Sequence, residues 1–337
     1  MRWFITGGCG FIGTSLIEKL MAEGGHTIRV MDNFIACTPD DLARVADFKM
    51  VESTGLKPMS NKNSSTVELL EGDVVDGPLA FKAVAGADVI VHLAANTGVE
   101  PSVNDPGLDC TVNVFGTLNM LEAARNNKID RFVFASSGAP IGECEPPIHE
   151  ELAAHPVSPY GASKLAGEGY CSAYFWSFGL DTVALRFGNV YGPGSGHKTS
   201  VVAKFIRKAM NGETLEIYGD GGQTRDFIYI ADLVDAISKA AETPDVGGEI
   251  FQIATNAETT VSRLVEKLAT TLDEAGIGPV DIRHEAPRVG DVRRNFSDTS
   301  KARDMLGWTA DTKLTEGLRE TVSWFVDRAA KTVASVG

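Results

Sequence analysis

The chain has 337 residues, 43% hydrophobic and 23% charged, with 35 glycines and a formal net charge of −14 at pH 7. That length suits two lobes or one enlarged α/β domain, and the composition excludes a disordered or collagen-like chain. The acidic balance argues against a nucleic-acid-binding surface, whose affinity comes from excess Lys and Arg, although cations converging locally can still hold a small anion.

In chain order, short apolar segments alternate with amphipathic ones, the pattern of a doubly wound parallel sheet. The first strand is "RWFIT" (2–6), and a helix over 11–23 follows the glycine-rich turn after it. No signal-peptide pattern precedes the strand and no apolar run approaches a membrane span, so a cytoplasmic location is expected. The second strand is "HTIRVMD" (26–32); residues 35–66 are polar and irregular and read as a surface insertion. Strands "VELLEGD" (67–73), "DVIVHLAA" (88–95) and "RFVFASS" (131–137) come next, with a helix over 108–127 before the last of them.

Ser158 is a good N-cap and Pro159 suits the first helical position, so a helix starts there and runs to about Phe178. "DTVALRFGN" (181–189) makes a sixth strand, and "VYGPGSG" (190–196) breaks the pattern. The remainder mixes helices (199–211, 260–275, 313–330) with the short strands "LEIYG", "DFIYI" and "EIFQIA". Two units are therefore expected: 1–189 as the dinucleotide-binding domain, with a later contribution around 226–254, and 190–337 as mostly a smaller mixed α/β lobe. The five cysteines (Cys9, Cys37, Cys110, Cys144, Cys171) are scattered with no C-x-x-C pair. Neither a disulfide framework nor a metal site is indicated.

Two motifs carry chemistry. Gly7-x-x-Gly10-x-x-Gly13 follows the first strand and opens the first helix, the context of a Rossmann-type dinucleotide fingerprint. Gly7 permits the tight turn, Gly10 lets backbone approach a pyrophosphate, and Gly13 lets helix and sheet pack closely. Asp32, nineteen residues after Gly13, can accept hydrogen bonds from both adenosine ribose hydroxyls and would repel a 2′-phosphate, which favours NAD over NADP. The second motif is Tyr160 and Lys164, neighbours at i and i+4 on one helix face.

This glycine spacing with a Tyr-x-x-x-Lys pair resembles the short-chain dehydrogenase/reductase superfamily. "HLAANTG", "NVFGTLNMLEA", "FASSGAPIG", "LRFGNVYGPG" and "RDFIYIADLVDA" extend the resemblance over most of the chain, to the extended branch acting on nucleotide sugars and, within it, the UDP-hexose 4-epimerases. The resemblance implies Tyr160 as catalytic base, Lys164 as its activator and Ser137 as the third member, with Ser136 the other candidate serine. It implies NAD contacts from Gly7, Gly10, Phe11, Ile12, Gly13, Asp32, Asn33, Asp73, Val74, Leu93, Ala94, Ala95, Asn113, Tyr160, Lys164 and Phe187. On the UDP-sugar side it implies Ser102 and Ser137 by the hexose, Asn189 at the phosphates, Val201, the diphosphate arginines Arg225 and Arg288, and Asp291 near the uridine ribose. Asn295 falls where a tyrosine in related enzymes closes the sugar pocket to N-acetyl groups. His197, in "GSGHKTS", reads as a solvated loop histidine, with an approach to the substrate as the alternative, and the resemblance implies a homodimer through the two helices that here span 108–127 and 159–178.

A phenol with a pKa near 10 is a poor base at neutral pH, and lowering it about three units takes roughly 4 kcal/mol. A cation at about 4 Å supplies around that much at an effective dielectric of about 20. Lys164 and the oxidised nicotinamide are the cations expected to do so. Two departures from the family pattern matter. Pro140 and Ile141 replace the customary Val-Tyr, and Gly138 and Ala139 stand where 4,6-dehydratases carry an Asp-Glu pair and decarboxylases a Glu. Without that acid the site suits oxidation and re-reduction of a carbinol, hence epimerisation. A glucuronate 4-epimerase shares nearly every motif, and a catalytically silent NAD-binding sensor is the alternative from another class.

Overall fold

The computed structural model describes residues 1–61, 65–287 and 292–334. Five segments buried almost end to end define the centre: β1 (Arg2–Thr6), β2 (Thr27–Asp32), β5 (Val89–His92), β6 (Arg131–Ser137) and β7 (Asp181–Phe187). Near-continuous burial is what strands covered by helices on both faces require. Between β2 and β5 come α2 (Pro39–Ala43), β3 (Phe48–Val51), β4 (Thr66–Glu71) and α3 (Gly77–Ala83). The helix α1 (Phe11–Glu23) links β1 to β2, and α4 (Val99–Asn104), α5 (Pro106–Cys110), a π-helical turn (Thr111–Phe115) and α6 (Gly116–Asn127) link β5 to β6. The helix α7 (Pro159–Phe178) precedes β7.

After β7 come β8 (Asn189–Tyr191), α8 (Val201–Met210), β9 (Leu215–Tyr218), β10 (Thr224–Arg225), β11 (Phe227–Tyr229) and α9 (Ile230–Glu242). The chain ends with β12 (Ile250–Ile253), β13 (Thr259–Thr260), α10 (Val261–Glu274), β14 (Ile282–Glu285), α11 (Ser300–Leu306) and α12 (Leu314–Ala334). Eight strands form one sheet in the order β12-β7-β6-β5-β1-β2-β4-β3, with every neighbouring pair parallel. The chain winds outward from β1 in both directions, so the strand order reverses between β1 and β5. Crevices at the carboxyl ends of such a reversal are where open α/β sheets bind ligands.

Leu16, Ile17, Leu20, Leu233 and Ile237 of α1 and α9 pack on one sheet face against Trp3, Ile5 and Val30. Met120, Leu121 and Tyr174 of α6 and α7 cover the other against Phe4, Phe132 and Phe134. A third core, of α8, α10, α12 and β9, joins Phe205, Leu268 and Leu318 in the C-terminal part.

Three elements differ from the sequence reading. The 35–66 insertion is not irregular throughout: it holds α2 and the edge strand β3, which pairs with β4 in the register Phe48↔Val67. Lys49 and Met50 of β3 are exposed, so an edge strand with little burial leaves no apolar pattern to read. The expected helix over 108–127 contains the π-helical turn, because a one-residue widening leaves the 3.6-residue periodicity almost unchanged. The expected strand 181–189 breaks at Gly188, and β8 leaves the main sheet to pair with β11. No helix among the described residues is long and apolar enough to cross a membrane.

Beneath the carboxyl ends of β6 and β7 lies an ion pair removed from water. Arg186 donates to Glu168 through Nε at 2.8 Å and Nη2 at 2.7 Å, and Ser136 Oγ donates to Glu168 Oε1 at 2.5 Å. Both ionic side chains are about as buried as the apolar core, at 3% and 2% exposure. Glu168→Ala would leave a buried, unpaired guanidinium, and the expected cost is about 3–5 kcal/mol. A thermal melt checks this; an unchanged melting temperature would mean the pair adds nothing to stability.

Candidate active site

The glycine turn takes the shape its sequence demands. Gly7 has φ +67°, and a Cβ there would lie 2.9 Å from the backbone nitrogen of Ala94. A Cβ on Gly13 would lie 2.5 Å from Gly8 Cα, so helix and turn touch backbone to backbone. Gly10 is the N-cap of α1 and offers no capping side chain, nor is there an acid in the first turn. The amide groups of Phe11, Ile12 and Gly13 thus face outward at the positive end of a helix dipole, which fits a pyrophosphate.

At the end of β2, Asp32 is buried and accepts from the amides of Cys9 and Phe34, each at 3.0 Å, and from the Cys37 thiol. Asn33 Nδ2 donates to Asp73 Oδ2 at 2.8 Å, which brings these two expected adenosine-side residues together. Val74 is buried beside Gly116, and Leu93, Ala94 and Ala95 follow directly from β5. Phe187 ends β7, half-buried. These donors and backbone surfaces fit a dinucleotide laid across the carboxyl ends of β1, β2 and β5.

A buried network joins those loops. Ala94 N donates to Thr6 Oγ1, which is 2.8 Å from His92 Nδ1; His92 Nε2 is 3.1 Å from Thr117 Oγ1, whose hydroxyl donates to the Asn113 carbonyl. That direction of donation makes His92 the Nε2–H tautomer. Burial, then the nearby Lys164 charge, pushes His92 down to about 3, so the ring stays neutral. Asn113 is itself buried: its Oδ1 accepts from Asn96 N at 2.8 Å, and its Nδ2 meets Asn96 O, Asp109 and Ser163. It therefore fixes the loop after β5 and α7 from within.

The structure brings Ser137, Tyr160 and Lys164 together. The Ser137 hydroxyl lies close enough to the Tyr160 phenol to favour its ionised form, and it accepts from Ala139 N at 3.2 Å. Ser136 is turned away, donating to Glu168. Lys164 is 3% exposed; its Nζ donates to Ala135 O at 2.9 Å and lies 5.9 Å from the Tyr160 ring centroid. Burial pushes the Lys164 ammonium down to about 8, against upward pulls from Asp109, Glu168 and Cys171.

Burial works against the expected activation. It pushes the Tyr160 phenol up to about 12; Ser137 pulls it down and Asp109 pushes it further up. Lys164 points its ammonium at a carbonyl rather than at the phenol oxygen, so it does not outweigh burial. The phenol stays protonated at neutral pH unless a further positive charge stands beside it. The turn carrying Pro140 and Ile141 closes with Ile141 N donating to Gly138 O at 3.3 Å, and Ile141 is buried. Gly138 faces open space.

Farther along, a cavity of about 400 Å³ gathers Asn189, Val201 and Arg225. Arg225 Nη1 donates to the carbonyls of Thr224 and Val292, both at 2.7 Å. The same cavity is lined by Thr199, Lys204, Tyr218 and Gln223, which the sequence reading missed; Tyr218 at the end of "LEIY" and the cation one turn into α8 were the available signals. Ser102 is fully buried, its hydroxyl donating to Val99 O at 2.7 Å. Asn295 is half-buried, its backbone N–H donating to Thr224 Oγ1 at 3.2 Å. Arg288 and Asp291 lie outside the described residues. His197 lines a different cavity, of about 1080 Å³, with Phe11, Arg44 and Trp324.

Residues 3–254 match the sequence model of the NAD dependent epimerase/dehydratase family. A UDP-glucose 4-epimerase of Mycolicibacterium smegmatis is 35% identical over 334 residues, which cover 98% of this chain and 100% of that protein. A solved UDP-glucose 4-epimerase from Thermotoga maritima, with UDP-glucose, superposes with a TM-score of 0.85 at 32% identity, covering 98% of this chain and 100% of its own. A UDP-N-acetylglucosamine 4-epimerase from Methanobrevibacter ruminantium M1, in complex with UDP-N-acetylmuramic acid, superposes with a TM-score of 0.85 at 31% identity, covering 97% and 98%.

Gly7→Ala would force a side chain into the left-handed region, at a cost of about 1–2 kcal/mol, and push it onto Ala94. Dinucleotide affinity measured by calorimetry should weaken about tenfold or more. Unchanged affinity would mean that this turn does not carry the cofactor.

Proposed function

The chain belongs to the NAD dependent epimerase/dehydratase family, and from that premise we propose that it is an NAD-dependent UDP-hexose 4-epimerase, an isomerase that inverts C4 through a transient 4-keto sugar. The observation that carries this reading is the meeting of Ser137, the Tyr160 phenol and buried Lys164, followed by Gly138 and Ala139 with no acid or base. NAD, held by the glycine turn and Asp32, would supply hydride-transfer chemistry at the carbinol carbon. Tyr160 Oη takes the C4 hydroxyl proton and gives it back, while Ser137 steadies the same oxygen. Lys164 and the charge of the oxidised nicotinamide together offset the burial that otherwise keeps the phenol protonated. Asn189 and Arg225 hold the nucleotide diphosphate, and Val201 lines the same cavity. No step eliminates water or carbon dioxide, so substrate and product have equal mass.

Asn295 is much smaller than tyrosine and its amide can hydrogen-bond an acetamido group, so the sugar pocket admits an N-acetylated hexose. A missing wall does not reject the smaller sugar, and UDP-glucose should also turn over. UDP-glucose, UDP-N-acetylglucosamine and UDP-glucuronate, incubated separately and resolved as C4 epimers, test this. Epimers of the first two are expected, abolished by Tyr160→Phe with UDP binding nearly intact; Asn295→Tyr should lose the acetamido sugar selectively. Turnover of UDP-glucuronate alone would replace the substrate assignment, and retained turnover in Tyr160→Phe would mean another base.

A homodimer accompanies this reading. Leu108, Phe115, Tyr170, Trp176 and Phe178 stand 39–79% exposed on the α5–α6 segment and α7, more apolar surface than a one-sided helix presents. Five cysteines without a disulfide suit the reducing cytoplasm. Light scattering at micromolar concentration should give twice the chain mass; monomer alone would remove the dimer.

A further inference from the structure

Asp109, on the last turn of α5, is 1% exposed, and the chemistry above does not use it. Its Oδ1 accepts from Asn113 Nδ2 at 3.0 Å, and its Oδ2 is buried with no hydrogen-bond partner among the described residues. Asn113 Nδ2 is also 3.1 Å from Ser163 Oγ, and Ser163 Oγ donates to the Tyr160 carbonyl at 3.1 Å. A short chain of contacts thus fixes the carboxylate against the helix that carries Tyr160 and Lys164. A negative charge on an oxygen so shut away is not screened by water, and in a low-dielectric interior it acts over several ångströms.

The other groups around the pair are accounted for. On β6, Ser137 lies by the phenol and the Ala135 carbonyl accepts from the ammonium. On β5, His92 is neutral. On α7, Glu168 is matched by Arg186 in a two-point ion pair, and Cys171 is a buried thiol. Asp109 has no lysine or arginine in ion-pair contact among the described residues. We propose that Asp109, buried against the helix of Tyr160 and Lys164 and fixed there by Asn113, is a positioning residue whose negative charge sets the pH range in which that pair works.

This rests on the reading of Tyr160 as base and Lys164 as its cation. The charge of Asp109 raises the pKa of both groups. Removing it therefore lowers both, and the rising and falling limits of the pH profile move to lower pH together. Asp109→Asn tests the charge alone, since the Asn oxygen still accepts from Asn113. Two readouts separate the outcomes. The kcat profile of UDP-hexose epimerisation should shift down by about one pH unit at both limits. Ultraviolet titration of the NAD-loaded protein, with Tyr160→Phe subtracted, should show tyrosinate forming at correspondingly lower pH, and this needs no turnover. If wild type epimerises no UDP-hexose, the substrate reading fails while the titration still decides the role of Asp109. Lower kcat with unmoved limits and an unmoved titration would overturn the proposal, leaving a merely structural carboxylate. Should Asp109→Asn not fold, Asp109→Ser also removes the charge and must show the same downward shift.

Discussion

A charged ammonium carried inside the protein sets the terms for everything near it. Lys164 has one backbone carbonyl as its hydrogen-bond partner and is shut away from water, an arrangement that on its own favours the neutral amine. Carboxylates in the same interior oppose that tendency, and they need their own support. Glu168 is held by Arg186 and Ser136, and Asp109 by Asn113. Ion pair, buried asparagine and neutral histidine are thus successive answers to one electrostatic problem.

The sheet makes that arrangement affordable. Because β6, β5 and β1 are parallel neighbours, their carboxyl ends bring Ser137, His92 and the glycine turn to one edge. The helix α7 crosses this edge with Tyr160 and Lys164 one turn apart, while its Gly167 lets Phe134 of β6 approach so closely that a Cβ there would meet the ring at 2.3 Å. The π-helical turn ahead of α6 places Asn113 where it reaches α7 on one side and the loop after β5 on the other. Backbone irregularity at this point serves the site rather than the core.

Much of this was legible in the sequence, for physical reasons that differ by element. The buried strands announced themselves because both faces are covered, and the Ser158-Pro159 cap because helix starts have local chemistry. Gly7 and Gly13 could be assigned their roles since only glycine fits contacts of backbone with backbone. What stayed hidden was set by packing between distant segments. The strand β3 has too little burial to show a pattern, and Tyr218 and Gln223 reach their cavity through tertiary placement alone. The burial that opposes activation of Tyr160 was hidden as well, because sequence supplies the cation but not the depth at which the phenol lies.

Gly138 follows Ser137 and opens onto empty space: no heavy atom lies within 4 Å of where its side chain would start. Within the resemblance, the carboxylates that let related enzymes expel water occupy this position and the next. Glycine and alanine codons each become an acidic codon by one base change, and at residue 138 a new Cβ would meet no protein atom within 4 Å. The step from this loop to an acidic one is therefore short in mutational distance, and the first atom of the new side chain asks for no change in the surrounding fold.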